Sequence, residues 1–127
     1  MEAPEGAEER SGNMRQVSFE GIGETAAGFA AKDGVQAGMV VQVTGDGEVG
    51  PCQAGGAFCG VALEARDGYA TVQLTGCARV KYSGSVAAGP YMLAADGSGG
   101  VKNDNTNGVP MWVLEQDAAA GTVTVLL

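Results

Sequence analysis

Histidine is missing from the whole of the 127-residue chain. With it go the one side chain whose unperturbed pKa lies near neutrality and the commonest general base and metal ligand, so the sequence reads as that of a non-enzyme. Basic residues are scarce as well: 7 Lys and Arg stand against 15 Asp and Glu, a formal charge of −8. A phosphate backbone is held by clustered Lys and Arg; those present here are scattered, which excludes nucleic acid as a partner. No apolar stretch approaches the roughly 18 residues of a membrane helix, because glycine or polar residues interrupt every one, and a membrane is excluded in turn. The segment Met1-Glu2-Ala3-Pro4-Glu5-Gly6-Ala7-Glu8-Glu9-Arg10 is acidic and lacks the basic and apolar regions of a secretory signal peptide. A bacterial cytoplasm is the expected location unless the chain is carried on a particle. Cysteines are few and odd in number, and the spacings of Cys52, Cys59 and Cys77 match neither a zinc ribbon nor a C-x-x-C motif. They are expected as buried or half-buried thiols.

What is present points to β structure. The length suits one domain of ordinary size. Residues 1–15 are polar, acidic and without periodicity, and are expected to form a disordered arm; residues 16–127 are expected to form a single all-β domain. Its apolar residues are dominated by valine, with 15 Val against 6 Leu and one Ile, and β-branched side chains favour a pleated, half-buried surface. Apolar and polar residues alternate in Gln16-Val17-Ser18-Phe19, Tyr69-Ala70-Thr71-Val72-Gln73-Leu74, Cys77-Ala78-Arg79-Val80-Lys81-Tyr82 and Gly121-Thr122-Val123-Thr124-Val125-Leu126, the pattern of antiparallel strands with one wet face. Met39-Val40-Val41-Gln42-Val43 and Phe58-Cys59-Gly60-Val61-Ala62-Leu63 are more continuously apolar and should lie deeper. Asp33-Gly34, Asp46-Gly47, Asp67-Gly68, Ser83-Gly84 and Asp96-Gly97 supply tight turns. No helix is placed: Ala26 to Ala31 is short and glycine-flanked, and Glu115 to Gly121 allows one turn at most.

An internal repeat constrains the architecture further. Shifted by 51 positions, Val35-Gln36-Ala37-Gly38 falls on Val86-Ala87-Ala88-Gly89, Leu63-Glu64 on Leu114-Glu115, and Thr71-Val72 on Thr122-Val123. Two similar units of about 50 residues, near 29–76 and 80–127, predict a compact barrel or sandwich of antiparallel strands. Closure also removes the exposed edges that valine-rich strands would present.

Sites of chemistry are weak. Gly21-Ile22-Gly23 with Gly28 lacks the spacing and following helix of a phosphate loop and is read as a loop or bulge. Residues 103–108, Asn103-Asp104-Asn105-Thr106-Asn107-Gly108, carry the alternating oxygens of a calcium loop, but the terminal acid would fall on Leu114 and the first ligand is a neutral Asn; a polar surface loop is expected. Cys52, Cys59, Cys77 and the serines have no histidine to activate them. Glu64 and Glu115, related by the repeat, are the pair that carboxylate chemistry would need, though both sit at strand ends beside turns where solvated acids are common. No catalytic, cofactor or metal residue is assigned. Trp112 is open to either reading, core or contact surface.

The order of elements resembles a family. The strand Val17-Ser18-Phe19 is followed by Val35-Gln36-Ala37-Gly38-Met39-Val40-Val41, the turn Gly45-Asp46-Gly47-Glu48-Val49, the strand Cys59-Gly60-Val61-Ala62-Leu63 and the pair Val72-Gln73-Leu74-Thr75-Gly76-Cys77-Ala78-Arg79-Val80. Over about residues 17–101 this is similar to the small head decoration proteins of tailed phages and prophages, and to related phage-like proteins of bacterial genomes. The resemblance implies a structural protein on the virion surface that assembles as a homo-oligomer, with a trimer favoured, and stabilises the shell by binding the major capsid protein. It implies an N-terminal arm that adds to a capsid edge by strand pairing. Gln16, Val17, Phe19, Ile22 and Trp112 are then the candidate capsid or partner contacts. The alternative is a β module binding a small ligand or a carbohydrate, through Trp112 and the loop 103–108.

Overall fold

The computed structural model describes residues 22–127. Among them the chain is all β, with ten strands and no helix: β1 (Thr25–Ala31), β2 (Val40–Gly45), β3 (Glu48–Pro51), β4 (Gly60–Arg66), β5 (Tyr69–Thr75), β6 (Cys77–Ser83), β7 (Gly89–Ala95), β8 (Val101–Asn103), β9 (Val109–Asp117) and β10 (Thr122–Leu126). The first five close into one barrel in the order β1-β3-β2-β4-β5, and the last five into a second in the order β6-β8-β7-β9-β10. The expected arm over 1–15 and the expected strand over 16–19 lie outside the described residues.

The repeat is the barrel. Each unit closes on itself with the same strand order, and most pairings are antiparallel, as the alternation requires. Each barrel is also closed by one short parallel contact, Ala30↔Glu48 and Ala31↔Val49 in the first, Tyr82↔Val101 and Ser83↔Lys102 in the second. The repeated residues hold equivalent places. Gly38 and Gly89 both have positive φ, 90° and 136°. Val49 and Val101 are both fully buried, as are Val72 and Val123. The repeated Leu-Glu marks a β-bulge: the β4–β5 ladder steps from Ala62↔Val72 to Glu64↔Thr71, and the β9–β10 ladder from Val113↔Val125 to Glu115↔Thr124. Leu63 and Leu114 are the extra residues, and each bulge bends its strand around the barrel wall. Between β4 and β5 the two-residue turn Asp67-Gly68 has φ of 55° and 78°, the doubly left-handed conformation that matches the twist of a hairpin.

The two continuously apolar strands are buried on both faces only at Val40-Val41 and at Gly60-Val61-Ala62; Val43 and Leu63, expected to lie deep with them, are exposed beyond the contact between the barrels. Successive strand residues point to opposite sides, so Val41 and Ala62 enter the core of the first barrel with Val49, Ala70 and Val72. Their neighbours Val40 and Val61 instead join the cluster of the second barrel, with Val80, Leu93, Val113 and Val125. Burying each valine contributes about 1.5–3 kcal/mol, and here the same strand serves two cores. Backbone bonds complete the contact: Val40 N–H donates to Gly99 C=O (2.9 Å), Gly55 N–H to Ala95 C=O (2.8 Å), and Ala95 N–H to Gly56 C=O (2.9 Å).

Gly76 alone joins β5 to β6, and therefore one barrel to the other. Beside it Gln73 is buried, its Nε2 donating to the carbonyls of Thr75 (3.0 Å) and Cys77 (2.9 Å). That one amide satisfies both strands at the crossing.

One expectation fails. Gly21-Ile22-Gly23 with Gly28 was read as a loop or bulge. Gly21 lies outside the described residues and Ile22-Gly23 is a turn, but Gly28 sits within β1 (Thr25–Ala31), paired with β5 from Thr25↔Thr75 to Ala30↔Tyr69. Alanine and glycine carry little strand preference of their own, and here cross-strand pairing decides. The half-buried residues Ala27, Phe29 and Ala31 alternate with exposed Ala26, Gly28 and Ala30.

Candidate interaction surface

Of the five candidate contacts, Gln16, Val17 and Phe19 lie outside the described residues. Ile22 and Trp112 are both 56% exposed, and the second barrel brings them to one sheet. Trp112 on β9 pairs with Pro90 on β7 and with Leu126 on β10. Leu126 pairs with Cys77 on β6, and Cys77 N–H donates to the carbonyl of Ile22 (2.9 Å). Directly opposed residues share a face, so Pro90, Trp112 and Leu126 form a cross-strand row on the outside of the barrel. Ile22 lies three strand spacings from Trp112, about 14 Å.

Trp112 borders an open groove of about 450 Å3, shared with Pro110 and Met111 of β9 and Pro90, Tyr91 and Met92 of β7. Asn103 and Asn105 also line it, so the structure places Trp112 beside the loop 103–108, the two features on which the alternative reading of a ligand-binding module rests. Among the described residues no charged side chain lines the groove.

The loop itself is self-satisfied. The Asp104 carboxylate accepts from the N–H groups of Asn107 (2.9 Å) and Thr106 (3.0 Å), and Gly108 N–H donates to the Asp104 carbonyl (2.8 Å). Those two N–H bonds, Asn107 first, hold the carboxyl below its ordinary pKa. Among the described residues no group of three or more Cys, Asp or Glu is placed to hold a metal.

Glu64 and Glu115 are not brought together. Glu64 pairs with its neighbour Arg66 (3.5 Å) at the surface of the first barrel, while Glu115 shares a shallow polar concavity of the second with Arg79 and Thr122. Among the described residues no cavity is lined by both.

All three cysteines are free; Cys52 and Cys77 are buried and Cys59 half-buried, as expected. Burial, and secondarily the neighbouring Cys59, pushes the Cys52 thiol up to about 11 from 9.0. The unfolded chain therefore gives up this proton first as pH rises. Stability from this group is intact below pH 9 and is lost towards pH 11, so thermal melts across that range should show a falling midpoint that Cys52→Ala reduces.

No family model and no curated protein matches the chain. Among the solved structures that share its fold are two from phage heads. The head fiber gp8.5 N base of bacteriophage phi29 matches 82% of this chain and 93% of its own, with a TM-score of 0.59 and 16% identity. A chain of the capsid of the Myoviridae phage XM1 matches 92% of this chain and 95% of its own, with a TM-score of 0.59 and 17% identity. The double barrel is thus a fold of phage head proteins, in agreement with the resemblance noted from the sequence.

The sequence held a signal for the exposure of Trp112 that composition alone does not reveal. Shifted by the repeat, Trp112 falls on Val61, and Val61 faces out of its own barrel. Trp112 inherits that outward direction, and among the described residues no third barrel covers it.

Proposed function

We propose that this chain is a head decoration protein: a non-enzymatic, homo-oligomeric structural protein that binds the outer surface of a phage capsid and stabilises the shell. The observation that carries the reading is the double-barrel fold, shared over nearly the full length of both chains with proteins of two phage heads. The arm residues Gln16, Val17 and Phe19 lead into Ile22 and are assigned to the capsid, and Trp112 to the partner contact. In this reading the two barrels act as one domain, since strands of the first complete the core of the second. The location is the virion surface and the partner is the major capsid protein.

Mixing the purified protein with the matching expanded capsids should give saturable, stoichiometric co-sedimentation and a higher temperature of capsid disruption. Absence of binding at micromolar protein overturns the proposal. A rise in the melting temperature of the free protein with neutral saccharides would instead favour a carbohydrate module, to which the Trp112 groove with Asn103 and Asn105 is suited.

A further inference from the structure

The two barrels are related by the repeat, yet only the first has its outward β2–β4 face covered. The cross-strand pair Val40↔Val61 carries that face. Each member precedes an inward residue, Val41 or Ala62, and both pack against the second barrel. Trp112 is the repeat counterpart of Val61, and Pro90 stands opposite it as Val40 stands opposite Val61. The 51-residue shift sets Val40 itself on Tyr91, so the ladder is displaced by one residue, but Pro90 and Trp112 likewise precede residues, Tyr91 and Val113, packed inside the second barrel. By face and ladder register this is the surface with which one barrel docks on the next, and on the second barrel it is exposed.

The surface that receives it can be found the same way. The first barrel meets β6 and the turn between β7 and β8: Val40 N–H bonds Gly99 C=O, Met39 packs against Gly99, and Val61 and Leu63 share a concavity with Ala78 and Arg79. In the first barrel the counterparts are β1 and the turn at Asp46-Gly47. There β1 presents Ala26, Gly28 and Ala30 to solvent, small residues that leave room for an indole ring.

We infer that the Pro90–Trp112 groove takes the β1 side of the first barrel of a second copy of this chain, repeating between chains the packing found within one. The inference rests on the homo-oligomer of the proposed function and supplies its contact. Two different surfaces meet, so the contact is head-to-tail. Such contacts close into rings or run on as filaments, and the trimer that the resemblance implies is the ring expected. The uncharged groove suits a chain of net charge −8, whose copies repel one another until salt screens them.

Sedimentation equilibrium of the full chain in 150 mM salt tests this, with the sole tryptophan as a second probe. The wild type should be a trimer or larger closed ring, its Trp112 emission shifting to the blue as concentration drives assembly. Trp112→Ser should weaken association at least about 30-fold, as loss of a central aromatic anchor does, with an unchanged circular dichroism spectrum. Gly28→Glu should do the same from the other barrel; its backbone is unstrained and nothing lies within 4 Å of the added Cβ, so folding is preserved. Each variant keeps the surface the other has lost, so mixing the two should restore a 1:1 dimer. A Trp112→Ser or Gly28→Glu protein that assembles like wild type, or a mixture that stays monomeric, overturns the inference while leaving the oligomer in place. A wild type monomeric at all concentrations overturns both.

Discussion

Gly76→Ala should destabilise the protein by about 2–5 kcal/mol, the sum of a left-handed backbone penalty of about 1–2 kcal/mol and an overpacking cost of about 1–3 kcal/mol. The residue has φ of 90°, and an added Cβ would stand 2.5 Å from both the Gly23 carbonyl carbon and the Ile22 carbonyl oxygen. These are backbone atoms, which cannot swing aside as the end of a side chain does. The strain falls on the single residue that joins the barrels, where Leu127 N–H also donates to the Gly76 carbonyl (2.9 Å). Urea unfolding should show the midpoint falling with an unchanged slope. Gly28→Ala is the control: with no positive φ and an open surrounding, it should change stability by no more than about 0.5 kcal/mol.

Gln73→Leu should cost about 2–4 kcal/mol although it exchanges one buried side chain for another of similar size. Leucine keeps the packing but strips the donor from the Thr75 and Cys77 carbonyls, and a buried acceptor left without a partner costs about 1–3 kcal/mol. Gln73 is 2% exposed, so water does not replace the amide without rearrangement. The same unfolding measurement reads the loss; a variant as stable as wild type would show that the amide is not what holds the crossing of β5 and β6.

Both positions belong to one segment, Val72-Gln73-Leu74-Thr75-Gly76-Cys77-Ala78-Arg79-Val80, and it shows where sequence reading succeeds and where it stops. Its two strands, the turn glycine and the inward valines were legible from alternation and punctuation. That Gly76 separates two closed barrels was not, because a pattern of period two says which residues share a face and nothing about where a sheet closes. The repeat came nearest, since it gave the unit, the matched Leu-Glu pairs that the structure shows to be bulges, and the paired glycines at 38 and 89. The strand β1 was missed because Thr25–Ala31 has no valine or isoleucine; its pairing with β5 and burial of Phe29 hold it in place. The parallel closures β1–β3 and β6–β8 leave no mark in a sequence, being only two residues long.

The candidate surface was half legible. Trp112 and Ile22 were singled out as candidate contacts and both are exposed, but the groove between β7 and β9 depends on register, Pro90 opposite Trp112 and Met92 opposite Pro110, which composition does not specify. Val40 and Val41 illustrate the same limit from the other side. Their hydrophobicity announced burial on both faces; only the structure shows that one faces its own barrel and the other its neighbour.

Under the proposed function of a head decoration protein, the double barrel should sit on the outside of a phage shell. The most direct measurement is electron cryomicroscopy of the matching expanded capsids after incubation with excess purified protein. The account predicts added density of three or more double barrels about local symmetry axes on the outer surface, with the arm leading from Ile22 in contact with the shell. Undecorated capsids at saturating protein, or density confined to the interior, would contradict it.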